Sequence, residues 1–189
     1  MSDPTAVEPD ADRSAGLLSS PRLLWIVPVI LALDQVSKYF ARQWLVPYRP
    51  WPADAEYFRL TYIHNPGAAF GLDLGSLHLH TFISIVALGL LIWLFRSLPA
   101  DAGLSQLGLV MVLGGALGNI VDRLIHDAGV VDFFDVGVSE QWRWPIFNVA
   151  DSFVTIGIVL LAIGYHRNRP QASAPDASST EATDQSGNA

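Results

Sequence analysis

Four long apolar stretches dominate the hydrophobic pattern of the chain. They cover about residues 23–41, 78–95, 102–121 and 145–165. Each is long enough to cross a hydrocarbon core of about 30 Å as a helix. The second and third contain no charged residue and the fourth contains only Asp151, which disfavours buried helices of a soluble bundle. We therefore predict an all-α membrane protein built as a bundle of four transmembrane helices.

Two shorter segments between the spans have the pattern of strands. Residues Phe58 to Ile63 alternate with a period of two, and the turn sequence Asn65-Pro66-Gly67 follows them. The second segment, Val130 to Val136, is rich in Val and Phe. Because successive spans run in opposite directions, both segments lie on the same side of the membrane. We expect a small β-sheet on that face of the bundle.

Composition separates two polar ends from this apolar body. Residues 1–21 are rich in Ala, Asp, Ser and Pro, and residues 169–189 contain no aromatic or large aliphatic side chain. We expect both ends to be disordered, which leaves one membrane domain over residues 22–168. The net charge of −7 comes mostly from the ends and gives no reason to expect a nucleic-acid partner. The absence of cysteine excludes disulfides, thiolate metal sites and a cysteine nucleophile.

The ionisable residues of the spans gather towards one membrane face. Asp122 closes the third span and Asp151 lies one or two turns into the fourth, so the two carboxylates have similar depth. Two close carboxylates share a proton, so one can accept a proton from water while the other donates to a scissile carbonyl. We predict Asp122 and Asp151 as a catalytic pair that needs no cofactor. The alternative for Asp122 is a structural charge at a helix end.

Asparagine precedes each of these carboxylates by three positions, as Asn119 and Asn148. If both motifs are helical, each amide shares a helix face with its carboxylate and can orient it. Asp34 and Lys38, four residues apart near the end of the first span, are predicted to form a structural ion pair. The histidines form no convincing ligand pattern, and we predict no metal site.

Five motifs, in order along the chain, resemble those of bacterial lipoprotein signal peptidase, also called signal peptidase II. The matching segments are residues 34–38, 65–71, 114–123, 131–133 and 147–152. The resemblance implies a multi-pass protein of the bacterial plasma membrane, with both termini in the cytoplasm and an extracytoplasmic sheet and active site. It also implies cleavage of prolipoproteins just before a diacylglyceryl-modified cysteine, and inhibition by globomycin-type peptides. Membrane lipid would surround the spans.

The same resemblance assigns roles to particular positions. It maps the catalytic pair onto Asp122 and Asp151. The residues expected to support the site or bind substrate are Asn65, Gly67, Asn119, Arg123, Asp132 and Asn148. The loop Gly67–Gly71 is expected to approach the substrate and close over the site.

Two other functions fit intramembrane carboxylates. A proton-coupled carrier uses such residues as a relay, and a non-catalytic scaffold uses them as structural charges. The clustering of motifs at one face favours the peptidase, and cleavage of a lipidated peptide would separate the three. Basic residues are nearly balanced between the two sides, so the orientation rests on the resemblance.

Overall fold

A computed structural model describes residues 22–67, 77–99 and 102–167 of the chain. The predicted disordered ends lie outside the described residues, as do residues 68–71 of the loop expected to close over the site.

Four helices form the body of this structure. A short 3-10 turn, Leu23–Trp25, leads into α1, and the four helices are α1 Ile26–Trp44, α2 Leu77–Ser97, α3 Gly103–Ile125 and α4 Val149–Arg167. Each is long and apolar enough to cross a membrane. The predicted four-helix membrane bundle is therefore confirmed.

Helix α3 lies at the centre of the bundle. It contacts each of the other three helices and is mostly buried, whereas those three expose most of their apolar residues. An apolar exterior is expected of helices that face lipid. Close approach between α3 and α4 depends on glycine: a Cβ atom at Gly115 would overlap the carbonyl oxygen of Ala150. Small residues at such crossings let two helix backbones approach closely.

The predicted sheet is present and has two antiparallel strands. Strand β1 is Phe58–Asn65 and strand β2 is Val130–Val136. An extra residue in β1, between Leu60 and Ile63, shifts the register while β2 stays regular. The sheet joins the helices through a small core formed by Ala41, Tyr62, Val131 and Phe133.

The fourth helix begins later than the hydrophobic pattern predicts. The apolar stretch starts at Pro145, but α4 starts at Val149. The residues between them are extended, and Phe147 exchanges two backbone hydrogen bonds with Phe134 of β2. Because of this pairing, residues 145–148 lie beside the sheet and are not part of the fourth membrane helix.

Candidate active site

A fully buried charge cluster ties α1 to α3. Lys38 Nζ lies 2.8 Å from Asp34 Oδ2 and 3.0 Å from Asp122 Oδ2, and none of the three side chains is exposed. The remaining lone pairs of Asp122 accept from Gln35 Nε2 at 3.1 Å and from the backbone N–H of Val131 at 3.0 Å. One ammonium thus compensates two carboxylates, and Asp122 is enclosed on all sides by protein donors.

A cavity of about 530 Å³ opens beside this cluster, where the sheet meets α3 and α4. Its size is typical of a small-molecule or peptide site. Its polar lining comprises Asn65, Gly67, Asn119, Arg123, Asp132, Asp151, Ser152 and Thr155. Its apolar lining comprises Val130, Trp144, Pro145, Ile146, Phe147, Val154 and Ile156. Asp122 is not among the residues that the described chain contributes to this lining.

Two carboxyl groups line the cavity, and amides hold both. Asp132, on β2, accepts from Asn65 Nδ2 at 2.9 Å and from Asn148 Nδ2 at 2.6 Å. Asp151, in the first turn of α4, accepts from Asn119 Nδ2 at 2.7 Å. Neither carboxyl group forms an ion pair with a residue of the described ranges. Neutral donors therefore orient these groups without supplying a compensating charge.

The environment of Asp132 favours its protonated form. Burial, and after it the negative charge of Asp151, raise the pKa of Asp132 to about 7 against the opposing effect of the hydrogen bonds from Asn65 and Asn148 and of the charge of Lys38. A carboxyl group with this pKa can hold or release a proton near neutral pH. Asp132 is therefore the carboxyl group of the cavity that is suited to hold a proton near neutral pH.

Asn148 and Asp151 form a reciprocal cap at the start of α4. The backbone N–H of Asp151 donates to Asn148 Oδ1 at 2.9 Å, and the backbone N–H of Asn148 donates to Asp151 Oδ2 at 3.2 Å. This is the capping-box arrangement, formed here with aspartate as the acidic partner. Asn148 therefore precedes α4 as its capping residue, so the condition that both asparagine motifs are helical is not met. The cap fixes the orientation of Asp151.

Asn119 connects the buried charge cluster to the cavity. Its Oδ1 accepts from Lys38 Nζ at 3.0 Å and from Asn148 Nδ2 at 3.0 Å, while its Nδ2 donates to Asp151. Arg123 lies one turn further along α3, lines the cavity and donates to the carbonyl of Asn119 at 3.3 Å. A network of amides thus joins the buried lysine to both cavity carboxyl groups.

The structure brings together most of the predicted site residues, and the second carboxyl group that lines the cavity with Asp151 is that of Asp132. Six of the predicted residues line the cavity, namely Asn65, Gly67, Asn119, Arg123, Asp132 and Asp151. Asn148 is not part of the lining but donates a hydrogen bond to Asp132. Asp122 instead belongs to the enclosed cluster with Asp34 and Lys38. A charged residue within the otherwise apolar run Val130–Phe134 was the sequence signal that could have given Asp132 a larger role. Among the described residues, no group of three or more His, Asp or Glu is arranged to hold a metal ion.

The fold and the cavity define a multi-pass membrane protein with a carboxylate-lined site. Two solved structures, each a bacterial membrane enzyme, share this fold. The first has a TM-score of 0.69 and 28% identity, covering 82% of this chain and 95% of that chain. The second has a TM-score of 0.68 and 29% identity, covering 79% and 96% respectively.

Sequence comparison identifies the family. The family described as signal peptidase (SPase) II matches residues 26–167. The lipoprotein signal peptidase of Moorella thermoacetica is 39% identical over 138 residues, covering 73% of this chain and 88% of that protein. The lipoprotein signal peptidase of Pseudomonas aeruginosa is 37% identical over 171 residues, covering 88% and 98%. The chain therefore belongs to the signal peptidase II family, as its motifs predicted, and is a bacterial multi-pass membrane peptidase.

Proposed function

We propose that this peptidase is an aspartic endopeptidase that removes signal peptides from prolipoproteins, cutting just before the diacylglyceryl-modified cysteine. The family and its relatives support the substrate class. One observation supports the mechanism: Asp132 and Asp151 line the same cavity and neither is neutralised by an ion pair. This proposal replaces Asp122 with Asp132 as the partner of Asp151.

The two carboxyl groups have separate roles in the proposed reaction. Asp151, in its ionised form, accepts a proton from the attacking water. Asp132, protonated near neutral pH, donates its proton to the oxygen of the scissile carbonyl. The tetrahedral intermediate then collapses as Asp151 passes the proton taken from water to the peptide nitrogen, the scissile C–N bond breaks, and a hydroxyl of the intermediate returns a proton to Asp132 as the new carboxyl group forms. The proton shared by the pair returns to its starting position after each turnover.

The other cavity residues suit an unwound peptide in lipid. A signal peptide must leave its helix at the cut site, and backbone groups freed in this way need hydrogen-bond partners. Asn65 and Arg123 carry donors at the polar end of the cavity, and Trp144, Ile146 and Ile156 offer apolar surface for the signal helix or its lipid. Globomycin-type peptides would occupy the same space and exclude the substrate.

The proposed orientation has both termini in the cytoplasm. The cavity lies where α1 and α3 end and α4 begins, next to the sheet, and the opposite ends of α1 and α4 lie across the bundle. Cytoplasmic termini therefore correspond to an extracytoplasmic active site. This side suits a substrate whose lipidated cysteine has been carried to the outer surface.

The proton-carrier alternative lacks a path of ionisable groups. Helix α2 holds no Asp, Glu or Lys, and α4 holds no carboxylate besides Asp151. The cavity carboxyl groups therefore have no relay partner along these helices towards the opposite face.

Three variants test the proposed pair. Asp132→Asn and Asp151→Asn should each lower cleavage of a diacylglyceryl-cysteine peptide by about 10²- to 10⁴-fold while the purified protein stays folded. Asp122→Asn is the matched control, because it leaves both cavity carboxyl groups in place and Lys38 still paired with Asp34. We expect it to lower thermal stability and retain measurable cleavage. Substantial turnover by folded Asp132→Asn, with none by folded Asp122→Asn, would restore the pairing predicted from sequence.

A further inference from the structure

A second charged cluster lies on the side of β2 that faces away from the cavity. Side chains alternate along a strand, so Asp135 points away from the side that Asp132 occupies. Asp135 is only 2% exposed, and Arg59 Nε approaches its Oδ2 at 2.6 Å while Arg143 Nε approaches its Oδ1 at 2.5 Å. Thr61 Oγ1 donates to the same carboxylate at 2.7 Å.

These donors keep Asp135 ionised despite its burial. Burial by itself raises the pKa, but hydrogen bonds from Arg59, Thr61 and Arg143 outweigh it and hold the pKa of Asp135 below its usual value. Two guanidinium groups on one buried carboxylate form a strong and geometrically specific contact. The cluster is therefore a fixed point on the extramembrane face.

Arg143 differs from Arg59 in its neighbours along the chain. The four residues after Arg143, Trp144–Phe147, all line the cavity. Arg143 also donates from Nη2 to the carbonyl of Asp135 at 3.0 Å and from Nη1 to the carbonyl of Glu56 at 2.8 Å. Its side chain thus joins the start of this cavity wall to both β2 and the segment before β1.

The opposite end of the wall is held by the sheet. Phe147 donates its N–H to Phe134 at 3.1 Å and accepts from the N–H of Phe134 at 2.8 Å. Between the two ends, the side chain of Trp144 is 63% exposed, so burial contributes little to its position. The backbone N–H of Trp144 also donates to the carbonyl of Val136 at 2.8 Å. The wall is therefore a short span held by backbone hydrogen bonds at Trp144 and Phe147 and by the Arg143–Asp135 contact just before it.

We propose that Arg143 is a positioning residue, which through Asp135 holds the Trp144–Phe147 wall in the conformation that binds the apolar part of the substrate. This inference rests on the proposed function of the cavity. The wall has apolar surface that contacts the substrate equally before and during reaction. Its loss of order should therefore raise KM and leave kcat nearly unchanged.

Arg59 offers a matched control within the same cluster. Arg59→Gln and Arg143→Gln each remove one cation from Asp135 and leave the other in place. Arg59 lies in β1 and outside the wall. A merely structural role for the cluster would make the two variants alike, whereas a positioning role for Arg143 separates them.

The experiment compares these variants in the full chain with a diacylglyceryl-cysteine peptide, measuring kcat, KM and thermal unfolding in detergent. If the wall is ordered in about a tenth of Arg143→Gln molecules, KM rises about tenfold, because only the competent fraction binds. Arg59→Gln should change KM by less than about twofold for a similar loss of thermal stability. Arg143→Lys, which keeps the charge but loses the fork of donors, should fall between wild type and Arg143→Gln. If Arg143→Gln does not fold, the KM of Arg143→Lys is compared with that of Arg59→Gln instead.

The outcomes distinguish the positioning role from the function on which it rests. Equal KM increases in the two glutamine variants, or an unchanged KM in folded Arg143→Gln and Arg143→Lys, would overturn the positioning role. Either of these KM results would still be compatible with the proposed peptidase function, provided that the wild type cleaves the peptide and Asp132→Asn does not. Absence of cleavage by folded wild type would instead refute the proposed function.

Discussion

Replacing Asp132 by asparagine should change how the stability of the protein depends on pH. The native pKa of Asp132 is about 7, against about 3.9 for an aspartate in an unfolded chain. Because the native state favours the protonated form, this group contributes most to stability below pH 4. That contribution is lost as the pH rises towards and through 7.

The size of the effect is given by proton linkage. Stability changes by about 1.4 kcal/mol per pH unit where the unfolded chain is ionised and the native carboxyl group is protonated. Between pH 6 and pH 8 the slope diminishes as the native group ionises, and the wild type loses about 1.4 kcal/mol in total from Asp132. Asparagine does not titrate, so Asp132→Asn escapes this loss. Contributions from titrating groups that do not interact with Asp132 are shared by the two proteins and cancel in the difference.

Thermal unfolding in detergent, followed by tryptophan fluorescence at pH 6, 7 and 8, measures this difference. For a domain of this size, we expect the Tm of the wild type to fall by about 3 to 6 °C more than that of Asp132→Asn over this range. The stability of the variant relative to the wild type should therefore increase as the pH rises. Parallel Tm curves for the two proteins would show that Asp132 does not titrate in this window and would remove the general acid from the proposed mechanism.

Three further substitutions test the parts around the cavity. Lys38→Met should destabilise the protein by about 3–5 kcal/mol, because it leaves two buried carboxylates unpaired. Adding Asp34→Asn should recover part of this loss, as measured in a double-mutant cycle of unfolding free energies. Gly115→Val should cost about 1–3 kcal/mol by separating α3 from α4, whereas Gly89→Ala, where a Cβ meets no atom within 4 Å, should not lower the unfolding temperature. Asn148→Ala should lose about 0.5–2 kcal/mol of capping energy as well as activity. Asn148→Ser should recover the capping part of the stability but not the cleavage rate, because serine caps the helix without supplying the amide donor to Asp132. Equal rates for the serine variant and the wild type would show that this amide is dispensable for catalysis.

The architecture was predictable because hydropathy and strand periodicity act locally. Long uncharged runs predict membrane helices whatever surrounds them, and alternation at Phe58–Ile63 predicts a strand for the same reason. The start of α4 was not predictable in this way. The segment from Pro145 is kept out of the helix by the backbone pairing of Phe147 with Phe134. This is a tertiary contact, because Phe134 lies on β2, eleven positions before Pro145. Hydropathy alone assigns these apolar residues to the span.

The sequence indicated most of the residues that line the cavity, but not the pairing of Asp132 with Asp151 that we propose. Matching depth along α3 and α4 correctly indicates that Asp122 and Asp151 are near one face. It cannot show that β2 folds back over that face and presents Asp132 to the cavity, while the N–H of Val131 closes off Asp122. Burial of Lys38 between two carboxylates is likewise a property of two helices together, since Asp34 is on α1 and Asp122 is on α3.

The fold separates two uses of buried charge at one membrane face. Lys38 binds Asp34 and Asp122 directly, which compensates their charge and suits a fixed junction between helices. The same contact would be unsuitable for Asp132 and Asp151, since a cation hydrogen-bonded to them would favour ionisation of both and remove the proton that the proposed reaction needs, and Arg123 lines the cavity without forming such an ion pair. Asparagine amides hold these two groups instead, which orients them without supplying a cation. Burial and mutual repulsion are then free to keep one proton in the cavity. The enclosed cluster thus supplies rigidity, and its lysine is joined to the proposed catalytic pair by hydrogen bonds only through the amide of Asn119, while its charge lowers the pKa of Asp132 less than burial raises it.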